Sequence, residues 1–296
     1  MKNPIHRVYI PLRLGVVKNS WTAITCIDAA TNDYSIVTKY RFSAQKNLAR
    51  QCYSVSKSVV ALACGFLFDE GRLSPADPVA KFLGEYFPSD VDNKWYDVTL
   101  FDLFRHRTGA KDAVDFDNEQ APTGEVLTAL FSSPITGETG KTWNYSDGNY
   151  YILARVFEKI AGMTAEDFLN ENLFLPLGFY YNTWAKDDAG HLLGGTGLFL
   201  RTEDMAKLGV LVMNGGTYEN KRYLSEKWID LCTEGAKDNR YGFGIRNPSN
   251  NVFTITGMNG QGIFIDRKKK IVYAWHAQRR CPALGICFGL HSIGIV

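Results

Sequence analysis

The chain has 296 residues, with 33 Lys plus Arg against 31 Asp plus Glu and a formal net charge of +2. At 45% hydrophobic and 22% charged residues it has ordinary globular composition, long enough to bury about three quarters of the surface its unfolded chain exposes. Near-neutral charge excludes a broad electrostatic footprint for nucleic acid or an anionic membrane, and no run of 18 apolar residues offers a membrane span. The opening MKNPIHRVYIPLRLGVVKNS interrupts any apolar stretch with Pro4, His6, Arg7 and Arg13, so it does not read as a secretion signal. Cys26, Cys52, Cys64, Cys232, Cys281 and Cys287 fall at unrelated spacings with no C-x-x-C pair and read as reduced thiols. The expected compartment is the cytoplasm.

In chain order, Thr22 to Ile27 and Tyr34 to Phe42 read as strands around an Ala-Thr-Asn-Asp turn. The run SVVALACGFLFDEG after Lys57 is too long for a strand and stops at Gly71, which predicts a buried helix. Ser74-Pro75-Ala76-Asp77 predicts a helix start running toward Leu83, with Ser74 as cap and Pro75 at the first helical position. Residues 98 to 106 repeat the signal with Thr99 as cap. Asn149 to Ala161 has apolar residues at helical spacing up to Gly162, Thr164 with Asp167 caps a further helix, and Thr202 opens one that ends at Gly215-Gly216. The period then changes, and Phe253 to Thr256, Gly262 to Ile265 and Ile271 to His276 read as strands. Strand, then helices, then strand predicts a mixed α/β (α+β) plan, one sheet built from both chain ends with helices between. The expected division is residues 1–70 with 190–296 as the sheet part, 71–189 as a helical subdomain, and an active site at their junction.

Three segments can carry chemistry. Ser54-x-x-Lys57 opens the long apolar helix, so hydroxyl and amine share a face beside the free N–H groups of a helix start. A lysine desolvated against a core gives up its proton more readily and can accept one from serine. A second S-x-x-K, Ser43 to Lys46, lacks that helix. Tyr145-Ser146-Asp147 lies in a loop leading into a helix, and a tyrosine near an ammonium can act as general base or acid. Tyr180-x-Asn182 and Tyr218-x-Asn220 share that pattern. Ile255-Thr256-Gly257-Met258 falls on a late strand, where glycine lets a substrate lie along the edge and a backbone N–H can serve an oxyanion.

In this order the three segments resemble the serine β-lactamase and penicillin-binding-protein superfamily, with its S-x-x-K, Y-x-N-type and K-T-G-type motifs. The nearest likeness is to the class C β-lactamase-like branch of esterases, D-aminopeptidases and amide hydrolases. Leu103-Phe104-Arg105-His106-Arg107-Thr108-Gly109, Leu175-Pro176-Leu177-Gly178, Gly194-Gly195-Thr196-Gly197-Leu198 and Tyr241-Gly242-Phe243-Gly244 match it as well. The resemblance implies a β-lactamase/transpeptidase-like fold, an antiparallel sheet flanked by helices plus a helical subdomain. It implies two-step acyl transfer with Ser54 as nucleophile, Lys57 as its proton partner and Tyr145 as general base and then acid. The oxyanion hole would be the N–H groups of Ser54 and Met258. Neither a metal nor an organic cofactor is implied. The expected partner is a small ester or amide; no nucleic acid or membrane partner is expected, and an oligomer is allowed but not indicated.

Two positions depart from that pattern. Ile255 stands where most members carry Lys or His, and Asp147 where Asn is usual. Losing a cation and gaining a carboxylate would repel a substrate carboxylate, so a neutral or amine-bearing ester or amide is expected unless an arginine from elsewhere enters the site. Asp147 has three open readings: a substrate-binding residue, a helix cap, or a partner that holds Lys57 charged. In the last case Tyr145 must move the proton, or the site is silent and the chain a binding or scaffold protein. A β-lactamase or D,D-peptidase activity is the other alternative. His106 reads as structural, bonding loop backbone, and His191 and His276 lack metal-ligand companions. The glycines at 190, 194, 195 and 197 mark backbone passing close to the cleft, and Trp143, Trp184 and Trp275 are core or pocket wall. The closing AQRRCPALGICFGLHSIGIV, with Pro282 and three glycines, fits no clear helix, and the N-terminal helix usual in the superfamily reads as short or absent.

Overall fold

A computed structural model describes residues 21–28, 35–40, 48–111, 113–116 and 124–277. The readings of both chain ends and of Ser43 to Lys46 lie outside these. Strands β1 (Trp21–Asp28) and β2 (Ser35–Tyr40) pair antiparallel, and a two-residue strand β3 (Arg50–Gln51) leads into helix α1 (Val55–Asp69). Twelve of the 15 residues of α1 are buried, which is why its sequence carries no polar stripe.

The middle of the chain is built of helices α2 (Ala80–Leu83), α3 (Leu100–Phe104), α4 (Val126–Phe131), α5 (Asp147–Ala161) and α6 (Ala165–Leu169). Thr99 caps α3 through a complete capping box with Asp102, and Gly162 ends α5 in the left-handed region at φ +71°. The helix expected from Ser74 begins only at Ala80. Asp77 instead turns its carboxylate back to the Ser74 N–H at 2.8 Å. Pro78, which disfavours helical geometry in the residue before it, forms a bridge with Thr99.

The chain returns through β4 (Thr183–Trp184), β5 (Leu198–Leu200), α7 (Thr202–Met213), the hairpin β6 (Thr217–Tyr218) with β7 (Lys221–Arg222), and α8 (Glu226–Thr233). Strands β8 (Arg246–Ser249), β9 (Val252–Gly257), β10 (Gln261–Asp266) and β11 (Ile271–Ala277) follow. The main sheet has the order β2-β1-β11-β10-β9-β8 and is antiparallel throughout. Within it β1 pairs with β11, Ile24 opposite Trp275 and Asp28 opposite Ile271, so segments far apart in sequence close one sheet. Helix α7 lies across β1, β10 and β11, while α1 packs against α5, α8 and β9. The start of α1 thus meets the end of β9 and the start of α5.

Candidate active site

Ser54 sits at the N-cap of α1 without spending its side chain on the helix, and Tyr53 before it is held at φ +50°. A left-handed non-glycine residue stores strain that the surroundings must hold in place. Here the Tyr53 hydroxyl accepts a hydrogen bond from Asn259 Nδ2 at 3.0 Å, and Asn259 is itself left-handed. The turn before Ser54 is thereby tied to the turn after β9. Gly257 completes the junction: a Cβ there would lie 2.3 Å from the Cys52 carbonyl oxygen and 3.3 Å from the Ser54 nitrogen. On that side the space a side chain would need is taken by the backbone of residues 52–54. The consequence is that the end of β9 lies against the start of α1, with Met258 next in the chain.

Lys57 is one turn into α1 and fully buried. Its ammonium donates to Ser54 Oγ at 3.2 Å, to the Gly195 carbonyl at 2.8 Å and to Asp147 Oδ1. Three donors serve three acceptors, which describes a charged lysine. Burial alone lowers its pKa, but the Tyr145 phenolic oxygen and the Asp147 carboxylate more than offset that, and it lies above the ordinary lysine value. Gly195 delivers its carbonyl because it lacks a side chain; a Cβ would come within 2.7 Å of the Asp147 carbonyl oxygen. Of the readings of Asp147, pairing with Lys57 is the one the structure contains. The helix cap is Ser146, whose Oγ accepts the Asn149 N–H.

Tyr145 stands at the cleft, its ring centroid 4.7 Å from Lys57 Nζ. His106 holds its loop at both sides: the His106 carbonyl accepts the Asn144 N–H at 2.8 Å and Nδ1 accepts the Ser146 N–H at 3.2 Å. The imidazole packs on the Tyr145 ring at 4.4 Å, so the only side chain between those two clamps is the one presented to the cleft. With Nδ1 accepting, Nε2–H is left to donate to the Tyr241 hydroxyl at 3.2 Å. Burial, then the charges of Lys57 and Arg246, push the His106 pKa well below the ordinary value, which keeps the ring neutral. His106 thus bonds loop backbone, and the loop it bonds is that of Tyr145.

Ser54, Tyr145, Tyr241, Gly244, Arg246, Thr254, Thr256, Gly257 and Met258 line a cleft of about 260 Å³. Ile255 is absent from that wall. Alternation along β9 turns Thr254 and Thr256 to the cleft and puts Ile255, 1% exposed, in the core with Phe253. Its side chain therefore does not reach the cleft. Trp184 and Trp275 are core, while Trp143 is partly exposed with its ring 6.2 Å from that of Tyr145. His276 is buried and bonded to Thr202 Oγ1 at 2.9 Å. Among the described residues no group of His, Cys, Asp and Glu is placed to hold a metal. Sequence reasoning did not single out Tyr53 or Arg246, took Tyr241 only as part of a longer match, and read Gly195 as backbone passing close to the cleft, where it delivers its carbonyl to Lys57.

A serine at a helix start, bonded to a buried lysine, faced by a loop tyrosine and flanked by the end of an antiparallel strand, defines a serine-hydrolase type of site. The family model for Beta-lactamase matches residues 37–284, and the chain belongs to that family, whose members are serine hydrolases. The 6-aminohexanoate-dimer hydrolase of Paenarthrobacter ureafaciens is 27% identical over 199 residues, 62% of this chain and 50% of that protein. A putative penicillin-binding protein, PbpX, of Bacillus subtilis (strain 168) is 25% identical over 194 residues, 57% of this chain and 48% of its own length. The chain therefore spans about half the length of these curated relatives. A penicillin-binding protein homologue from Caulobacter crescentus shares the fold at a TM-score of 0.77 and 14% identity, with 98% of each chain covered.

Proposed function

We propose that this chain is a serine hydrolase that cleaves a small ester or amide through an acyl-enzyme on Ser54. The observation that carries the reading is the set of three oxygens around the buried Lys57 Nζ. Lys57 donates to Ser54 Oγ, and Asp147 and Gly195 take its other protons, so the lysine stabilises charge and does not accept the serine proton. That leaves Tyr145. As Ser54 Oγ attacks the substrate carbonyl carbon, its proton passes to Tyr145 Oη acting as general base, and the carbonyl oxygen becomes an oxyanion at the Ser54 and Met258 N–H groups. Tyr145 returns that proton to the leaving alcohol or amine as the carbonyl bond to it breaks. Water then attacks the acyl-Ser54, giving a proton to Tyr145, and the carboxylic acid leaves as Ser54 regains its hydrogen.

The same reading includes the division into residues 1–70 with 190–296 and 71–189, supported by the site itself: Ser54, Lys57 and Met258 come from the first part and Tyr145 and Asp147 from the second. It also places the protein in the cytoplasm, in keeping with the buried free thiols of Cys52, Cys64 and Cys232. A second reading, a silent binding protein, is favoured by the capture of Lys57 by Asp147. Intact mass after exposure to a fluorophosphonate separates the two. A single adduct on the wild type, missing from Ser54→Ala, supports the hydrolase; no adduct on folded protein at saturating probe supports the silent cleft.

A further inference from the structure

We propose that Trp143 and Tyr145 form an aromatic platform for the leaving group, so that the protein prefers esters or amides whose leaving alcohol or amine carries a flat, uncharged aromatic ring. The proposal rests on the reading of Tyr145 as the group that returns the proton to the leaving atom.

The segment that leads into α5 alternates in the way an extended chain does. Trp143 and Tyr145 are each 37% exposed, whereas Asn144 and Ser146 turn toward the protein. Asn144 Nδ2 donates to the Ala110 carbonyl at 2.7 Å, and Ser146 Oγ accepts the Asn149 N–H. The backbone is held on both sides of Trp143: the Thr142 N–H donates to the Glu138 carbonyl and the Asn144 N–H to the His106 carbonyl, each at 2.8 Å. Trp95, Trp184, Trp228 and Trp275 are all buried, so Trp143 is the exception among these five. Its side chain meets the rings of His106 and Tyr145, and among the described residues its indole N–H has no hydrogen-bond partner. A large aromatic ring is thus presented to solvent from a fixed position.

That position is next to the wall residue that handles the leaving group's proton. Trp143 is not part of the cleft wall, but its ring centroid lies 6.2 Å from that of Tyr145, with 49° between the planes. Aromatic rings associate with centroids about 4.5–7 Å apart, offset or edge to face. A third ring placed before this tilted pair falls within that range of both. A leaving group bonded to Tyr145 Oη starts at one ring, and an aryl substituent on it extends to the other. A saturated ring of the same size covers similar area but lacks the face and edge charges that match them. A cationic leaving group is disfavoured, because the Lys57 ammonium already stands 4.7 Å from the Tyr145 centroid.

The test titrates full-length Ser54→Ala protein, which binds without turnover, with benzyl acetate and with cyclohexylmethyl acetate, followed by NMR of the ligand signals. Both esters carry a primary alcohol and differ in the ring alone. Benzyl acetate is expected to bind at least fivefold tighter. In Ser54→Ala/Trp143→Ala that ratio should fall to within twofold, while Trp143→Phe, which keeps a ring, retains part of it; circular dichroism verifies that each variant is folded. A ratio below fivefold in the Ser54→Ala protein overturns the proposal, and so does a preference that survives Trp143→Ala. Tighter binding of acetylcholine than of benzyl acetate also overturns it, since the two rings would then hold a cation. Because the readout is binding, a preference for benzyl acetate in a protein whose Ser54 takes no fluorophosphonate would uphold the platform and reject the hydrolase. A labelled Ser54 with equal affinity for the two esters would do the reverse.

Discussion

Asp147→Asn removes the carboxylate from the buried Lys57 while keeping nearly the same shape. Breaking a buried pair from one side costs about 3–5 kcal/mol, because the remaining charge loses its carboxylate partner. Lys57 has one escape, which is to lose its proton. From an ordinary value of about 10.4, deprotonation costs about 1.4 kcal/mol per pH unit, hence about 4.6 kcal/mol at pH 7 and about 1.9 kcal/mol at pH 9. The sign follows from linkage: in the variant the folded lysine pKa falls below the unfolded one, so the folded state binds fewer protons and regains stability as pH rises. In the wild type Lys57 lies above its ordinary value and shows no such change over this range. An unfolding entropy near 2.1 cal/mol/K per residue makes 1 kcal/mol about 1.6 °C for a chain of this size. Differential scanning calorimetry should therefore show Asp147→Asn melting about 5–7 °C below the wild type at pH 7 and about 3 °C below at pH 9. A difference equal at both pH values, or none, would refute the description of Lys57 as a buried ammonium held by Asp147.

Two further expectations concern the fold around the site. His106 and His276 are buried neutral; burial, then the Arg50 charge, bring the His276 pKa down from 6.5 to about 3. Groups whose folded pKa is depressed in this way give stability that is complete above 6.5 and lost as pH falls below it. At pH 4.5 the His276 share is about 2.7 kcal/mol, so the urea midpoint should drop between pH 7 and 4.5, and His276→Asn should lose markedly less over the same range. An unchanged midpoint in the wild type would contradict their burial as neutral rings. Gly257→Ala drives a Cβ to 2.3 Å from the Cys52 carbonyl oxygen, a backbone atom that cannot rotate away. It should destabilise the protein by about 1–3 kcal/mol and, by pushing β9 off the start of α1, reduce the rate of fluorophosphonate labelling of Ser54 at least tenfold; labelling at the wild-type rate would show that the junction does not shape the site.

The sequence alone determined the elements whose signals are local. The apolar run after Lys57 had to be a buried helix, Thr99 and Thr164 had to cap because their partners sit three residues on, and the alternating late segments had to be strands. Ser54, Lys57 and Tyr145 were legible for the same reason, each carried by a short motif that works only in its own turn or loop. What lay beyond the sequence depended on pairings across long separations. Ile255 went to the core and Thr254 to the cleft through the register of β9 with β10 and β8, which one residue of slip would reverse. Arg246 reached the cleft because β8 lies beside β9, and Asp147 met Lys57, 90 positions away, because α5 packs on α1. A charge carries no mark in the sequence of the partner that will neutralise it. Only closing the chain decided that the lysine's charge is matched by Asp147.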